Sequence, residues 1–306
     1  MSYRLANTGR LINKGKPFSF TFNGQKLQGY EGDTLASALL ANDQMLVGRS
    51  FKYHRPRGVV ASGAEEPNGL VNMGEGGKFE PNQRITTTEL FDGLTATSQN
   101  HWPSLEFDVG AINSRLARFL PAGFYYKMFI HPRPFWKHIY EPFIRKSAGL
   151  GKAPKDRDVD RYEHFNVHVD VLIAGGGIAG LSAALAAAEN GARVMLIEQC
   201  AHWGGRAVVD GALIDDMPAD AWVEKTLQAL EAMPNVSLRT RCTGAGVYDH
   251  GYVVAYERLT DHAPENDGPR QRLWRIRAKQ VITATGAIER PLSFAGNDIP
   301  LSLIHI

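Results

Sequence analysis

HVDVLIAGGGIAGLSAALAAAENGARVMLIE, residues 168 to 198, decides the fold. An apolar strand, Val169 to Ala174, runs into a glycine loop, Gly175-Gly176-Gly177 with Ala179 and Gly180. An alanine-rich helix follows, from Ile178 to about Asn190. Gly191 ends it, and a second strand, Arg193 to Ile197, closes on Glu198. This is the order of a βαβ unit that holds a dinucleotide. Gly175 allows the turn out of the strand, Gly177 lets a pyrophosphate approach the backbone, and Gly180 brings the helix close to the sheet. The free N–H groups and the dipole at the helix start hold phosphate. Glu198 lies roughly 20 residues beyond the loop, where a carboxylate accepts the ribose hydroxyls. A carboxylate there repels the extra phosphate of NADP, so NAD or FAD is expected.

The chain outside this unit extends the pattern. Gly204-Gly205 is a second flexible spot able to close over a cofactor, and Arg206 is placed to pair with the pyrophosphate. Cys200 has no cysteine two to five residues away, which excludes a CxxC-type redox disulfide. A helix starts near Pro218 and repeats apolar residues at helical spacing, Trp222, Val223, Leu227, Leu230 and Met233. Asp215-Asp216 falls in the loop before it. Val236 to Thr243 reads as a third parallel strand, followed by a meander of Val247 to Leu259 and Leu273 to Ala278. Gln280 to Gly286 returns as a parallel strand, its small residues Ala284, Thr285 and Gly286 letting the chain pass close to the cofactor.

Towards the amino terminus, Phe18, Phe20 and Phe22 alternate with polar residues, and Asn23-Gly24 turns the chain into Lys26 to Tyr30. That predicts a β-hairpin. Asp33 is placed to cap a helix over Thr34 to Ala41. Hairpin followed by helix opens a ferredoxin-like β-grasp. The loop that carries cysteines in plant-type ferredoxins reads RPRGVVASGAEEPNGLVNMGEG here, without a thiol, so no iron–sulfur cluster is expected. Arg49 to Gly58, RSFKYHRPRG, is rich in cations and aromatics. It reads equally as an anion contact or subunit seam and as a solvated basic loop. His54 has no second His or Cys near it at metal spacing, and no metal site is expected.

The predicted layout is therefore α/β. A cluster-less ferredoxin-like β-grasp domain over 1–110 leads through an aromatic and basic connector arm over 111–166 to a Rossmann-like FAD/NAD(P)-binding domain over 167–300. That last domain is of the two-dinucleotide-domain type and is expected to be incomplete at its carboxy end. Prolines 121, 132, 134 and 142 limit helices in the connector to short pieces. Hydrophobic residues make up 43% of the 306 and charged residues 22%, an ordinary globular balance. A net charge of +2 gives no reason to expect nucleic acid. Two cysteines, no apolar signal core and no run long enough to span a bilayer point to a cytoplasmic protein that does not enter membranes.

Three segments together carry a family resemblance: GRSFKYHRPRG, GGGIAGLSAALAAAENGARVMLIE and ATGAIERPLSFAGNDIP. The chain resembles the alpha subunit of heterotetrameric sarcosine oxidases over nearly all of residues 1–300. The resemblance implies NAD in this domain, contacted by the glycine loop with Ala179, by Glu198, Gln199 and Cys200, by Gly205 and Arg206, and by the backbone near Ala245. Arg206 departs from the small hydroxyl residue common in relatives. It further implies FMN shared with the beta subunit, FAD on the beta subunit, and tetrahydrofolate in a carboxy-terminal half beyond this sequence. Beta, gamma and delta subunits are the implied partners. The implied reaction oxidises sarcosine to glycine, hydrogen peroxide and a one-carbon unit passed to folate. Related FAD-dependent amine or amino-acid dehydrogenases and hydrogen cyanide synthase are the alternative enzymes; a non-catalytic nucleotide-binding scaffold is the alternative of another class. No acid–base pair converges within the sequence, so no chemistry is expected of it alone. The last residues, LSLIHI at 301–306, match a translation of a transposon end used in sequencing libraries and are expected to be a non-native tail.

Overall fold

A computed structural model describes residues 3–5, 9–120, 123, 129, 131–211, 213–288, 292 and 294. The chain divides into two compact units: Met1–Phe165 with Arg258–Leu273, and Asn166–Glu257 with Trp274–Ile306. The proposed tail at 301–306 lies outside the described residues.

The first unit is built on the predicted hairpin. Strand β1 (Asn13–Phe22) pairs antiparallel with β2 (Gln25–Glu31), and helix α1 (Leu35–Ala41) follows. Strands β3 (Leu70–Met73), β4 (Glu80–Arg84) and β5 (Thr95–Ser98) complete a sheet of order β2-β1-β5-β3-β4, with β5 parallel to β1. Phe20, Phe22, Leu35, Leu39, Val71 and Ile85 are buried in its core. The helix cap differs from expectation. Thr34, not Asp33, is the N-cap and forms a reciprocal box with Ser37. Asp33 is instead buried, bound by the Arg4 guanidinium and the Tyr30 N–H.

In the connector, helical turn runs from Arg133 through Ser147 and widens into a π turn at Trp136–Tyr140. Its α-helical pieces are short, three residues at Arg133–Phe135 and seven at Glu141–Ser147, joined by the π turn. Pro134 sits in the first turn, and the π turn falls just ahead of Pro142, where the ring would otherwise crowd the carbonyl four residues back.

The second unit carries a six-stranded sheet. Strand β6 (Tyr162–Ala174) leads into helix α2 (Ile178–Glu189) and β7 (Val194–Ile197), then helix α3 (Ala219–Glu231) and β8 (Val236–Arg239). Both β6–β7 and β7–β8 pairs are parallel. Strands β9 (Cys242–Tyr248), β10 (Tyr252–Arg258) and β11 (Gln271–Thr283) give the order β8-β7-β6-β11-β10-β9.

Three strand expectations are corrected here. The third parallel strand stops at Arg239, because Arg241 takes a positive φ of 53° and Cys242 starts the antiparallel β9. Val247 to Leu259 is not one strand but the two arms of a hairpin, turned at His250 and Gly251, both with positive φ. Leu273 to Ala278 and Gln280 to Gly286 are largely one strand, β11. No turn residue interrupts QRLWRIRAKQVIT, so its alternation continues through Lys279. It runs parallel to β6: the Arg270 N–H bonds the Arg161 carbonyl and the Ala284 N–H bonds the Ala174 carbonyl.

Candidate functional site: the glycine loop

The loop between β6 and α2 is shaped from three sides. The Gly175 N–H donates to the Ile197 carbonyl at 2.8 Å, holding the strand end in register. Gly175 has φ +110°, and any Cβ there would strike the Ala284 carbonyl, so the chain at Ala284 and Thr285 crosses directly over the turn. A Cβ on Gly180 would strike the Gly175 carbonyl, which is why the helix can approach so closely. Around Gly177 the opposite holds. A Cβ there meets no atom within 4 Å among the described residues, so this side of the loop is open. Gly177 is the N-cap of α2 and supplies no side-chain cap, which leaves the first N–H groups of a 12-residue helix for a ligand.

The Glu198 carboxylate organises the floor. It is buried; one oxygen accepts the Gly176 N–H at 2.6 Å and the other the Cys200 N–H at 2.8 Å. Strand β7 is buried along its whole length, which fixes where this carboxylate emerges. The segment after it folds back onto the loop. The Gly204 N–H donates to the Gly176 carbonyl at 2.8 Å, Gly177 and Gly204 form a parallel bridge, and the Gly205 Cα side faces the Gly177 Cα. The Trp203 ring lies where a Gly176 side chain would go. Sequence reasoning missed Trp203, although a tryptophan beside two glycines marks a large ring with room next to it.

The structure thus brings together Gly175, Gly176, Gly177, Gly180, Glu198, Gly204, Gly205 and the backbone at Ala284 and Thr285. Ala179 lies in the first turn of α2. Gln199 is exposed and Cys200 partly buried beside the carboxylate. Gly286 is exposed, with φ +71°. Arg206 is exposed and ion-paired with Asp210 at 3.5 Å. Ala245 sits at an irregularity of the β9–β10 ladder, exposed.

In the first unit, the basic loop is tied down by backbone carbonyls, mostly of the segment at Leu105 and Glu106. The Arg49 guanidinium donates to the carbonyls of Leu105, Glu106 and His54. His54 Nδ1 lies 2.6 Å from the buried Asp108 carboxylate, a partner the sequence did not reveal. Lys52 and Arg55 both stack on the Tyr53 ring. Among the described residues no cluster of three His, Cys, Asp or Glu side chains is placed to hold a metal ion, and no helix is long and apolar enough to cross a membrane.

This geometry is that of a Rossmann-like strand–loop–helix fold, and residues 170–253 match the family described as FAD dependent oxidoreductase. Over nearly its whole length the chain is related to sarcosine oxidase alpha subunits. It is 53% identical to sarcosine oxidase subunit alpha of Rhizobium meliloti (strain 1021) over 98% of this chain and 30% of that protein. It is 34% identical to the Corynebacterium sp. (strain U-96) subunit over 95% of this chain and 26% of that protein. The chain therefore spans about three-tenths of the length of the curated relatives it matches. A crystal structure of L-proline dehydrogenase from P. horikoshii shares the fold at 22% identity, with a TM-score of 0.56 over 94% of this chain and 45% of that one.

One expectation is overturned. Residues 15–101 match the family described as 2Fe-2S iron-sulfur cluster binding domain, so the first unit is not set apart from cluster-binding proteins as its missing thiols suggested. The matched segment contains no cysteine, and the two cysteines of the chain, at 200 and 242, lie outside it. The thiolate donors of such a group are not supplied by these residues.

Proposed function

We propose that residues 167–300 form the nucleotide-binding part of the alpha chain of a flavin-dependent sarcosine oxidase complex. Support comes from the 53% identity to a sarcosine oxidase alpha subunit and from the glycine loop, closed on three sides and open at Gly177. The open side takes the pyrophosphate of NAD against the first N–H groups of α2, and Glu198 takes the ribose hydroxyls. Glu198 keeps its backbone bonds while doing so, since each carboxylate oxygen has a second lone pair. Trp203 and Ala284 pack against the rear of the loop and hold its shape. Bound NAD would supply hydride-transfer capacity; this chain's residues bind and orient it. The match to FAD-dependent oxidoreductases favours a second reading, FAD at the same loop.

The complex so composed, with beta, gamma and delta subunits, would oxidise sarcosine with oxygen and tetrahydrofolate to glycine, hydrogen peroxide and methylene-tetrahydrofolate. The 306-residue chain alone would be inactive. The test is to purify the chain, denature it and identify the released nucleotide by mass. NAD is the expected result; FAD establishes the second reading. Release of neither, with no thermal shift on adding either, overturns both.

A further inference from the structure

The basic loop from Arg49 to Gly58 walls a cavity of about 210 Å³ within the first unit. Gly48 and Arg49 pair antiparallel with Pro56 and Arg57 and form one side of it. The Arg49 residue is half-buried, and every hydrogen bond its guanidinium donates goes to a neutral carbonyl, of Leu105, Glu106 or His54. Among the described residues no carboxylate pairs with it. Its charge is therefore uncompensated, and a partly desolvated cation of this kind favours an anion beside it. Arg57 adds a second positive charge to the lining, and among the described residues no Asp or Glu lines the cavity. The neighbouring Glu66 has both carboxylate oxygens committed to the N–H groups of Val60, Ala61 and Asn68.

The uncharged lining narrows the ligand further. Three amides on the wall are held in place by hydrogen bonds. Asn100 donates through Nδ2 to the Arg49 and Ser50 carbonyls, Gln99 exchanges two bonds with Asn82, and Asn68 donates to the Gly58 carbonyl. Asn68 and Gln99 each keep one amide proton, and Ser50, whose Oγ accepts the Arg55 N–H, keeps its hydroxyl proton. Spare donors beside positive charge are the complement of an oxyanion. Phe51, Pro67 and Leu70 supply an apolar side. The volume falls below the roughly 300–1,000 Å³ of pockets for drug-sized ligands, so the ligand is small. An ammonium group would find no carboxylate on this wall, which disfavours amino acids. We propose that the cavity binds a small organic acid, its carboxylate against Arg49 and Arg57 and a short apolar body against Phe51 and Leu70. The site does not depend on what the glycine loop binds.

The test titrates butyrate into the purified chain and follows it by ligand-observed NMR. Saturable binding with a Kd of about 1 mM is expected. Inorganic phosphate should bind more weakly, and n-butylamine, with the same body and the opposite charge, should not bind. Arg57→Gln should weaken butyrate at least about tenfold, and added salt should weaken it in the native chain. Phe51→Ala changes a half-exposed side chain and should weaken butyrate about threefold through lost apolar contact. The melting transition of each variant without ligand reports on folding, and Phe51→Ala carries the test if Arg57→Gln loses that transition. Saturating NAD should leave butyrate affinity unchanged; competition would place the anion at the glycine loop and overturn the proposal. Butylamine binding, tighter binding of phosphate than of butyrate, no saturable binding, or full affinity in folded forms of both variants would also overturn it. Butyrate should still bind when the chain is assembled with its companion subunits. Its exclusion there would give the cavity to a carboxylate of the polypeptide and overturn the free ligand.

Discussion

Glu66 in the first unit and Glu198 in the second are both buried carboxylates that accept hydrogen bonds from loop backbone. Glu66 is completely buried and accepts three: Val60 and Ala61 N–H on one oxygen, at 2.7 and 2.8 Å, and Asn68 N–H on the other, at 2.7 Å. Glu198 accepts two and borders an open space at Gly177. One carboxylate ties a long loop shut; the other leaves capacity beside a gap. On the function proposed above, the difference separates a structural acid from a binding one, although burial alone would rank them together.

The comparison can be broken most forcefully at Glu66. Glu66→Ala strands three backbone N–H groups, and a loss of about 3–5 kcal/mol is expected in denaturant unfolding. Nucleotide affinity per folded molecule should not change. Gly177→Val should do the reverse. Its φ of −74° suits any residue and its Cβ meets nothing within 4 Å, so the fold should lose no more than about 1 kcal/mol as a poorer N-cap. Nucleotide affinity, by calorimetry, should fall by about 100-fold as the pyrophosphate approach closes.

Glu198→Ala should fall between the two, with roughly 1–3 kcal/mol of stability and about tenfold in affinity lost together. If it affected only stability, Glu198 would be a second Glu66. The smallest effect is expected at Asp170. Arg193, through hydrogen bonds from its side chain and backbone, and Lys279 hold the Asp170 carboxyl well below the usual carboxylate range. A depressed carboxyl adds stability above its unfolded pKa, near 4, and loses it as pH falls through the folded value. The melting difference between the native chain and Asp170→Asn should thus be constant above about pH 5 and shrink progressively below pH 4.

How legible each region was follows from where its interactions lie in the sequence. The glycine loop could be read directly, because its glycines, its helix and its acid fall in one 31-residue stretch with a fixed order. The hairpin was legible for the same reason: Asn23-Gly24 sits between two alternating runs. Glu66 gave no such sign. Its role depends on three N–H groups that turn towards it only in the folded loop, and EEPNG reads as an ordinary surface turn. Ala284 was legible as a small residue passing close to the site, but its crossing over Gly175 was not, and Trp203 was missed because its ring meets Gly176 only once the segment after Glu198 folds back. The strand boundaries failed at Arg241 and His250, where non-glycine residues take positive φ against their propensity.

The crossing of Ala284 over Gly175 has a consequence for how the protein is made. The most sharply defined element of the sequence cannot finish its own shape. The bond from the Ala284 N–H to the Ala174 carbonyl joins positions more than one hundred residues apart, and β11 must lie beside β6 before the turn acquires its roof. On a ribosome the fingerprint emerges early and waits through α3, the hairpin and the whole of β11. Such late, non-local closure is slow and leaves the parallel edge of β6 unprotected meanwhile. The nascent chain is therefore most vulnerable to mispairing while its best-ordered segment is already out.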